Sequence, residues 1–273
     1  MTEKAESDYV LGTNVEEIDR LGLQHRVWRP TTLECWRRAG ITNGSRVIDI
    51  GCGPGYATID LAEIVGRTGE ILAVERSPRF LKIAQERCAA NRLANVRFRQ
   101  ADLMEDSLGE TDFDVSWCRW VACFVSDPQK LIAKISGALR DGGVAIFHEY
   151  IDYKTWRFAP RKPAHESFVE EVMASWRANG GEPDVGACLP PWLKAAGLHV
   201  IDIRPRVLTI SPNEYAWQWP ASFIESNLAR LLELGRVSAD WTESVRKEFA
   251  EAEADPATIC ITPLFVEIIA RKE

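Results

Sequence analysis

The chain has 273 residues, of which 46% are hydrophobic, and its formal net charge is −7 at pH 7. This length fits one large α/β domain or two small ones. An acidic chain without a basic run argues against a nucleic-acid substrate, because nucleic-acid binding depends on neutralising phosphates. No apolar run reaches about 18 residues, so we expect no membrane span. The polar start, MTEKAESDYV, predicts no signal peptide.

The cysteines and histidines favour a cytoplasmic protein without a metal. The seven cysteines are scattered, and none forms a C-x-x-C pair. We interpret them as reduced thiols, most of them in the core. The four histidines show no metal-ligand spacing, so no metal is expected. Whether the chain forms a homodimer is left open.

The N-terminal segment predicts two helices ahead of the first core strand. Residues 9–28 carry an irregular helical pattern of apolar residues, and Arg29-Pro30 is expected to break it. A second helix is predicted over residues 33–39, ending at Gly40. These helices either pad the sheet or cover a bound ligand.

The stretch from residue 46 to residue 65 predicts a strand, a glycine turn and a helix. Its apolar run is typical of a buried parallel strand. Three glycines at alternate positions follow, and then an amphipathic helix begins at Tyr56. Glycines permit a tight turn and close approach of a ligand, and the helix start offers unpaired N–H groups. A dinucleotide fingerprint would need a third glycine where Tyr56 stands.

Further strand–helix units follow this turn. Strands are predicted over residues 70–75, 96–100, 113–118 and 144–147, with helices between them. Ser77-Pro78 is a typical helix start. This alternation predicts a parallel sheet with helices on both faces, and ligands bind at the carboxyl ends of such strands. Two later strands are predicted over residues 200–210 and 261–270.

The pattern D-x-G-C-G-P-G, from Asp49 to Gly55, resembles motif I of class I S-adenosylmethionine-dependent methyltransferases. The chain is broadly similar to the small-molecule members that act in ubiquinone, menaquinone and natural-product biosynthesis. The resemblance implies a Rossmann-like, doubly wound α/β fold. Its seven-stranded sheet would be mostly parallel, with an antiparallel last strand. S-adenosylmethionine would be the cofactor.

Strand-end residues are the candidate cofactor ligands. Glu75 lies 24 residues beyond Gly51, where an acid can accept both ribose hydroxyls. The resemblance implies an adenine site at Asp102 and a methionine site at the end of the fourth strand. It also implies that the N-terminal segment covers the methionine end. The full predicted set is Tyr9, Gln24, Asp49, Gly51, Cys52, Gly53, Gly55, Glu75, Arg76, Ala101, Asp102, Leu103, Cys118 and Arg119.

A catalytic base is optional, because many such enzymes work by proximity alone. His148 is the first candidate, since it follows the fifth predicted strand and imidazole titrates near pH ~6.5. His25 is the second candidate. Each is equally well explained as a structural histidine.

Two tryptophan-bearing insertions predict a cap over the acceptor, within a single domain spanning residues 1–273. The segments are residues 1–40 for the N-terminal lid helices, 41–150 for the cofactor-binding core, 151–186 and 211–257 for the cap, and 258–273 for the last strand. Apolar aromatic walls are typical of small-molecule sites, although the same rings could simply pack the cap. The candidate pocket residues are Trp120, Phe124, Tyr150, Tyr153, Trp156, Trp217 and Trp219.

The predicted function is transfer of a methyl group from S-adenosylmethionine to an O, N or C atom of a small-molecule acceptor. A cyclase or pericyclic enzyme that uses the same pocket is one alternative. A non-catalytic cofactor-binding scaffold is another. A nicotinamide oxidoreductase is disfavoured by Tyr56.

Overall fold

A seven-stranded sheet forms the centre of the computed structural model, which describes residues 12–273. The strands are β1 (Arg46–Ile50), β2 (Glu70–Glu75), β3 (Val96–Gln100), β4 (Phe113–Arg119), β5 (Leu139–Asp152), β7 (Leu198–Arg206) and β10 (Leu264–Lys272). Their order is β3-β2-β1-β4-β5-β10-β7. Strands β1 to β5 are mutually parallel, and β10 runs antiparallel to both of its neighbours. The expected Rossmann-like fold is confirmed.

Helices cover both faces of this sheet. They are α1 (Val15–Ala39), α2 (Tyr56–Val65), α3 (Pro78–Ala90), α4 (Pro128–Ala138), α5 (Pro163–Ala178), α6 (Leu189–Ala195), α7 (Gln218–Glu233) and α8 (Ala239–Ala254). Trp36 of α1 packs edge-on against Trp117 of β4 on one face. On the other face, Ile48 and Phe147 join the core beneath α4 and the later helices. Alternate strand residues therefore serve two separate cores.

The N-terminal prediction of two helices was wrong. A single helix, α1, runs through Pro30, although proline lacks the N–H that an interior helical position needs. Trp28 and Trp36 lie on either side of Pro30, and each is only 1% exposed. Burial of these two rings against the rest of the protein outweighs the local cost of the proline.

The two long C-terminal strands were also predicted incorrectly. Each is divided, and the detached ends form a second sheet with a strand from the first insertion. This sheet consists of β6 (Arg157–Ala159), β8 (Thr209–Ile210) and β9 (Ile259–Ile261), in the order β6-β9-β8. Helix α7 was not predicted at all. The small sheet and helices α5, α7 and α8 build the cap.

The fifth strand is longer than predicted, so three residues expected beyond its end lie inside it. Strand β5 continues to Asp152, so His148, Glu149 and Tyr150 lie within it rather than beyond its end. His148 and Glu149 pair with Glu267 and Val266 of β10. None of the helices between residues 12 and 273 is long and apolar enough to cross a membrane.

Candidate active site

A cavity of about 510 Å³ lies at the carboxyl ends of β1 to β4, with α1 and α7 contributing further walls. Its position follows from the fold, since loops at this edge diverge and leave a crevice. Many of the predicted site residues meet here. The cavity is lined by Gln24, Asp49, Gly51, Cys52, Gly53, Glu75, Arg76, Asp102, Leu103, Arg119, Trp120, Phe124 and Tyr150 from the predicted sets.

The three motif glycines have three different surroundings. Gly51 has a φ of +66°, and a Cβ there would lie 2.5 Å from Cγ2 of Val121. Gly53 has a φ of +55°, and a Cβ there would meet nothing within 4 Å. Gly55 is the N-cap of α2, and a Cβ there would lie 2.8 Å from Cβ of Ala84 in α3. Gly55 therefore serves helix packing, whereas Gly53 leaves open space for a ligand.

Glu75, at the end of β2, is fixed by the glycine turn itself. Its Oε2 accepts from the backbone N–H of Gly53 at 2.9 Å, and its Oε1 accepts from that of Ser77 at 2.8 Å. Burial raises the pKa of this carboxyl, while the backbone N–H groups oppose the shift. The carboxylate is thus held in one orientation at the cavity wall.

The loop after β3 places Asp102 near Arg76. Oδ1 of Asp102 accepts from the N–H of Met104 at 2.8 Å, and its own N–H donates to Asp106 at 2.8 Å. A nitrogen of Arg76 lies 3.9 Å from Oδ2 of Asp102. The backbone turn therefore presents Asp102, Leu103 and Met104 to the cavity together.

Asp49, at the end of β1, is buried beneath the turn. Its Oδ2 accepts from the hydroxyl of Thr58 at 2.7 Å. Burial raises the pKa of Asp49 to about 6. A buried carboxyl with one hydrogen bond of this kind can accept another from a bound ligand.

Arg119, at the end of β4, is a partly buried cation at the cavity wall. It donates to Nδ1 of His25 at 3.2 Å and lies 3.5 Å from Oγ1 of Thr32. No carboxylate within residues 12–273 lies close enough to form an ion pair with it. Burial lowers the pKa of Arg119 to about 10, so it remains charged at neutral pH. An anionic group in the cavity would supply its missing partner.

Comparison with known proteins identifies the family to which the chain belongs. A methyltransferase-domain family model matches residues 41–190, which is more than half of the chain. The chain belongs to the methyltransferase family. The class I resemblance of the sequence is confirmed, and with it S-adenosylmethionine as the cofactor.

The curated relatives share part of their length with this methyltransferase. Demethylmenaquinone methyltransferases of Staphylococcus aureus strains are 28% identical over 123 residues, covering 45% of this chain and 49% of theirs. The chain therefore spans about half the length of the curated relatives it matches.

Solved structures share its fold. The YcgJ protein of Bacillus subtilis has a TM-score of 0.59 at 16% identity, covering 89% of this chain and 97% of its own. The 4+2 cyclase SpnF has a TM-score of 0.55 at 20% identity, with 89% and 80% covered. The phosphoethanolamine N-methyltransferase 2 of Haemonchus contortus has a TM-score of 0.56 at 22% identity, with 89% and 52% covered.

The methyltransferase does not bring either candidate base to the cavity wall. His25 is buried in α1. Its Nδ1 accepts from Arg119, so Nε2 carries the proton donated to Asp60 at 3.1 Å. Burial lowers the pKa of His25. His25 therefore contacts Arg119 and Asp60 and does not line the cavity.

His148 lies inside β5, fully buried beneath the second half of α1. Its Nε2 is 3.3 Å from Oε1 of Glu267, and Oε2 of Glu267 accepts from Arg38 and Arg206. Burial lowers the pKa of His148 to about 4. Cys35 lies near this pair, with donor atoms of all three residues within 4.8 Å of one another. The two guanidinium groups on Glu267 oppose a bound metal cation. We interpret the cluster as a structural polar network.

Several predicted residues lie behind the cavity wall instead of lining it. Gly55, Ala101 and Cys118 support the cofactor loops from the protein interior. The cap aromatics Tyr153, Trp156, Trp217 and Trp219 are buried in packing contacts. Trp219 nevertheless reaches the wall indirectly, since its indole N–H donates to Gln24 at 3.1 Å. The predicted ligand Tyr9 falls outside the described residues.

The wall opposite the cofactor loops is built from aromatic rings, which we call the aromatic half. It consists of Trp120, Phe124, Tyr150, Trp176 and Phe223. The Trp120 ring stacks on Tyr150 with centroids 5.5 Å apart, and the Phe124 ring lies 4.6 Å from that of Trp176. Trp176 and Phe223 come from α5 and α7. Three of the predicted pocket rings therefore line the cavity, together with two that were not predicted, and their role as an acceptor pocket stays a prediction.

The loop that carries Trp120 is held by a buried carboxylate that the sequence did not reveal. Trp120 has a φ of +50°, which is unusual for a residue with a side chain. The next three backbone N–H groups, of Val121, Ala122 and Cys123, all donate to Glu149 at 2.8–3.3 Å. Burial raises the pKa of Glu149 to about 7. Glu149 thus positions this part of the aromatic half.

Sequence reasoning missed other lining residues, including Arg20, Tyr56, Trp176, Phe223 and Arg230. The Tyr56 hydroxyl donates to the carbonyl of Ile18 at 3.1 Å and accepts from Arg87 at 2.6 Å, which ties α1 to α2 and α3. Its place directly after the last motif glycine was the available signal. For Trp176, Phe223 and Arg230 the sequence offered none, because their neighbours are distant in the chain.

Proposed function

We propose that this methyltransferase transfers a methyl group from S-adenosylmethionine to a small-molecule acceptor. One observation carries the proposal: a backbone-fixed carboxylate, Glu75, and a partly buried guanidinium without an ion-pair partner among residues 12–273, that of Arg119, share a single cavity. Such a pair is complementary to a ligand with ribose hydroxyls at one end and a carboxylate at the other.

The cofactor-binding roles follow from this placement. Glu75 would accept from the ribose hydroxyls, and Arg76 would flank the adenine. Asp102 would accept from the adenine amine, and the backbone N–H of Leu103 would reach a ring nitrogen. Arg119 would hold the methionine carboxylate, while Asp49 and the backbone of residues 51–53 would contact the rest of the methionine end.

The cofactor supplies an electrophilic methyl group, so the chain has to bind, orient and exclude water. The aromatic half would exclude water from the acceptor. No histidine lines the cavity within the described part of the chain, so we assign no catalytic base.

The biological setting is proposed on similar grounds. The relatives named demethylmenaquinone methyltransferases and the 510 Å³ cavity favour a small molecule over a nucleic acid. All seven cysteines are free thiols, which fits a cytoplasmic protein. Assembly as a homodimer stays a prediction.

Calorimetric titration with S-adenosylmethionine tests the proposal. The wild-type protein should bind it, and Glu75→Gln should weaken binding by at least about tenfold. The amide leaves one backbone N–H without its acceptor and removes the charge, and tenfold corresponds to about 1.4 kcal/mol. Glu70→Gln, at the opposite end of the same strand, is the matched control.

Two results would contradict the proposal. One is a folded wild-type protein that binds NAD but not S-adenosylmethionine. The other is a Glu75→Gln variant with unchanged affinity. Formation of S-adenosylhomocysteine with a metabolite panel, together with a methylated product, separates an enzyme from a scaffold or a cyclase.

A further inference from the structure

The charges around the cavity are divided unequally between its two halves. The carboxylates among the described lining residues are Asp49, Glu75 and Asp102, and all three lie at or just beyond the carboxyl ends of β1, β2 and β3 in the cofactor half. The aromatic half contributes none. Two acidic residues close to it are already engaged. Glu149 is fully buried and accepts from three backbone N–H groups of the loop after Trp120, and Glu17 is bound through both oxygens by Arg20, at 2.6 and 2.7 Å. A positively charged acceptor would therefore find no counter-ion, beside a cofactor whose sulfonium is itself cationic.

Polar groups beside the aromatic half are suited to donate hydrogen bonds. Oε1 of Gln24 accepts from Arg20 at 3.0 Å and from the indole N–H of Trp219 at 3.1 Å. Because the oxygen is occupied, the NH₂ group is what remains for a ligand. The hydroxyl of Tyr150 forms no hydrogen bond with another residue between 12 and 273. Burial raises the pKa of Tyr150, so the hydroxyl stays protonated.

Two of the five rings in the aromatic half already have a guanidinium over one face. The guanidinium of Arg119 lies 5.4 Å from the centroid of the Trp120 ring, and that of Arg20 lies 5.5 Å from the centroid of Phe223. Aromatic cages bind ammonium groups by offering free ring faces. A further cation here would meet two guanidinium groups, so these rings do not form an ammonium cage.

The aromatic half also lacks a group that could remove a proton from the acceptor. Its one titratable side chain in the described wall is Tyr150, which is held protonated. His25 and His148 lie behind the wall. An acceptor that loses a proton before methyl transfer must therefore lose it to water.

From these observations we propose that the acceptor is an aromatic or enolic molecule that binds as an oxyanion, with Gln24 and Tyr150 donating to it. This inference rests on the proposed methyl transfer. The acceptor's oxygen, or a carbon conjugated to it, forms the new bond to the methyl carbon. The carbon–sulfur bond breaks, and its electron pair stays on sulfur as the neutral thioether. No proton is transferred to the protein in this step.

A pair of naphthalene probes of opposite charge tests the inference. Binding of 2-naphthoate and of 2-naphthylmethylammonium is measured by calorimetry on the protein saturated with S-adenosylhomocysteine. We expect naphthoate to bind at least about tenfold more tightly, because charge-assisted hydrogen bonds are among the stronger ones. Equal affinities, tighter binding of the ammonium, or binding of neither probe would overturn the inference.

A different result is expected if the proposed methyl transfer itself is wrong. In that case S-adenosylhomocysteine itself does not bind to the folded protein, and this is measured before either probe is added.

Variants assign the preference to the named groups. Gln24→Glu keeps an oxygen for Arg20 and Trp219 but replaces the NH₂ donor by a charge, and it should lower the naphthoate-to-ammonium affinity ratio at least about tenfold. Tyr150→Phe should weaken the binding of 2-naphthoate and leave the affinity for 2-naphthylmethylammonium unchanged. Gln218→Glu, exposed on α7, and Tyr153→Phe, buried behind the wall, are matched controls and should keep the wild-type ratio.

A change that weakens both probes equally, such as a general loosening of the cavity, leaves the naphthoate-to-ammonium affinity ratio unchanged. An unchanged ratio in both Gln24→Glu and Tyr150→Phe would overturn the assignment.

Discussion

The two halves of the cavity are assembled in different ways. The cofactor half takes its residues from consecutive strand ends, so Asp49, Glu75 and Asp102 follow one another in chain order. The aromatic half combines Trp120, Tyr150, Trp176 and Phe223 from four separate elements. Contacts within the first half repeat one local strand–turn–helix plan. Those in the second exist only after the cap has packed onto the sheet.

This difference explains why the sequence predicted most of the cofactor half but only three of the five rings of the aromatic half. A glycine turn between a strand and a helix is a short-range pattern, and parallel strands bring successive ends to one edge. The aromatic insertions carry no comparable spacing rule. The amino-acid composition of such an insertion is the same whether its aromatic rings line a pocket or fill a core.

The largest expected effect tests whether the motif glycines serve the ligand or the fold. Gly55→Ala should destabilise the protein by about 2–4 kcal/mol, since a left-handed backbone is strained and the new Cβ meets Cβ and Cα of Ala84. Gly53→Ala should cost only about 1 kcal/mol, because its Cβ meets nothing within 4 Å. Thermal and denaturant unfolding give these values.

Cofactor titrations complete the comparison. Gly53→Ala should lose at least about tenfold in affinity for S-adenosylhomocysteine, because its Cβ would occupy the open space that the turn leaves for the cofactor. Full affinity in this variant would show that the cofactor does not approach the turn closely.

The next effect concerns Glu149, which links β5 to the aromatic half. Its folded pKa of about 7 is raised above the unfolded value, so protonation favours the folded state. The stabilising contribution is fully present below pH ~4.3 and is lost as the pH rises to about 7. Glu149→Gln cannot titrate. The difference in unfolding free energy between wild type and variant should therefore change by up to about 1.4 kcal/mol per pH unit in this window.

A pH-independent difference would show that Glu149 has an ordinary pKa. Asp49 titrates in the same range and burial raises its pKa to about 6, but it is present in both proteins and cancels.

The smallest effect compares two ways of satisfying the N–H groups at a helix start. In one the acceptor is the preceding residue, and in the other it comes from a distant helix. Ser238 caps its own helix α8 by accepting from the N–H of Trp241. Helix α5 has no such residue, and Glu248 of α8 accepts from the N–H groups of Ala164 and His165 instead. Ser238→Ala and Glu248→Ala should each cost about 1 kcal/mol in unfolding free energy.

In cofactor-saturated protein, the two variants should differ in their affinity for 2-naphthoate only if α5 moves. Glu248→Ala leaves the start of α5 without an acceptor, and α5 carries Trp176 at the cavity wall. A weaker affinity for 2-naphthoate in Glu248→Ala, but not in Ser238→Ala, would connect the cap to the acceptor. Equal affinities would limit Glu248 to stability.

The sequence by itself determined the strands β1 to β4, the helices α2 to α4 and the glycine turn. Apolar runs, the Ser77-Pro78 start and glycine spacing are local signals whose effect depends little on distant residues. The strand ends located Asp49, Glu75, Asp102 and Arg119, and the resemblance of residues 49–55 to a methyltransferase motif implied the family and the cofactor.

The tertiary structure alone decided the rest. Pro30 stays inside α1 because buried tryptophans lie on both sides of it. His148 left the predicted rim because pairing with β10 extends β5 beyond it. The aromatic half needed α5 and α7, which reach the cavity from segments separated by tens of residues. Their positions depend on burial shared among distant parts of the chain, and no spacing within a single segment encodes it.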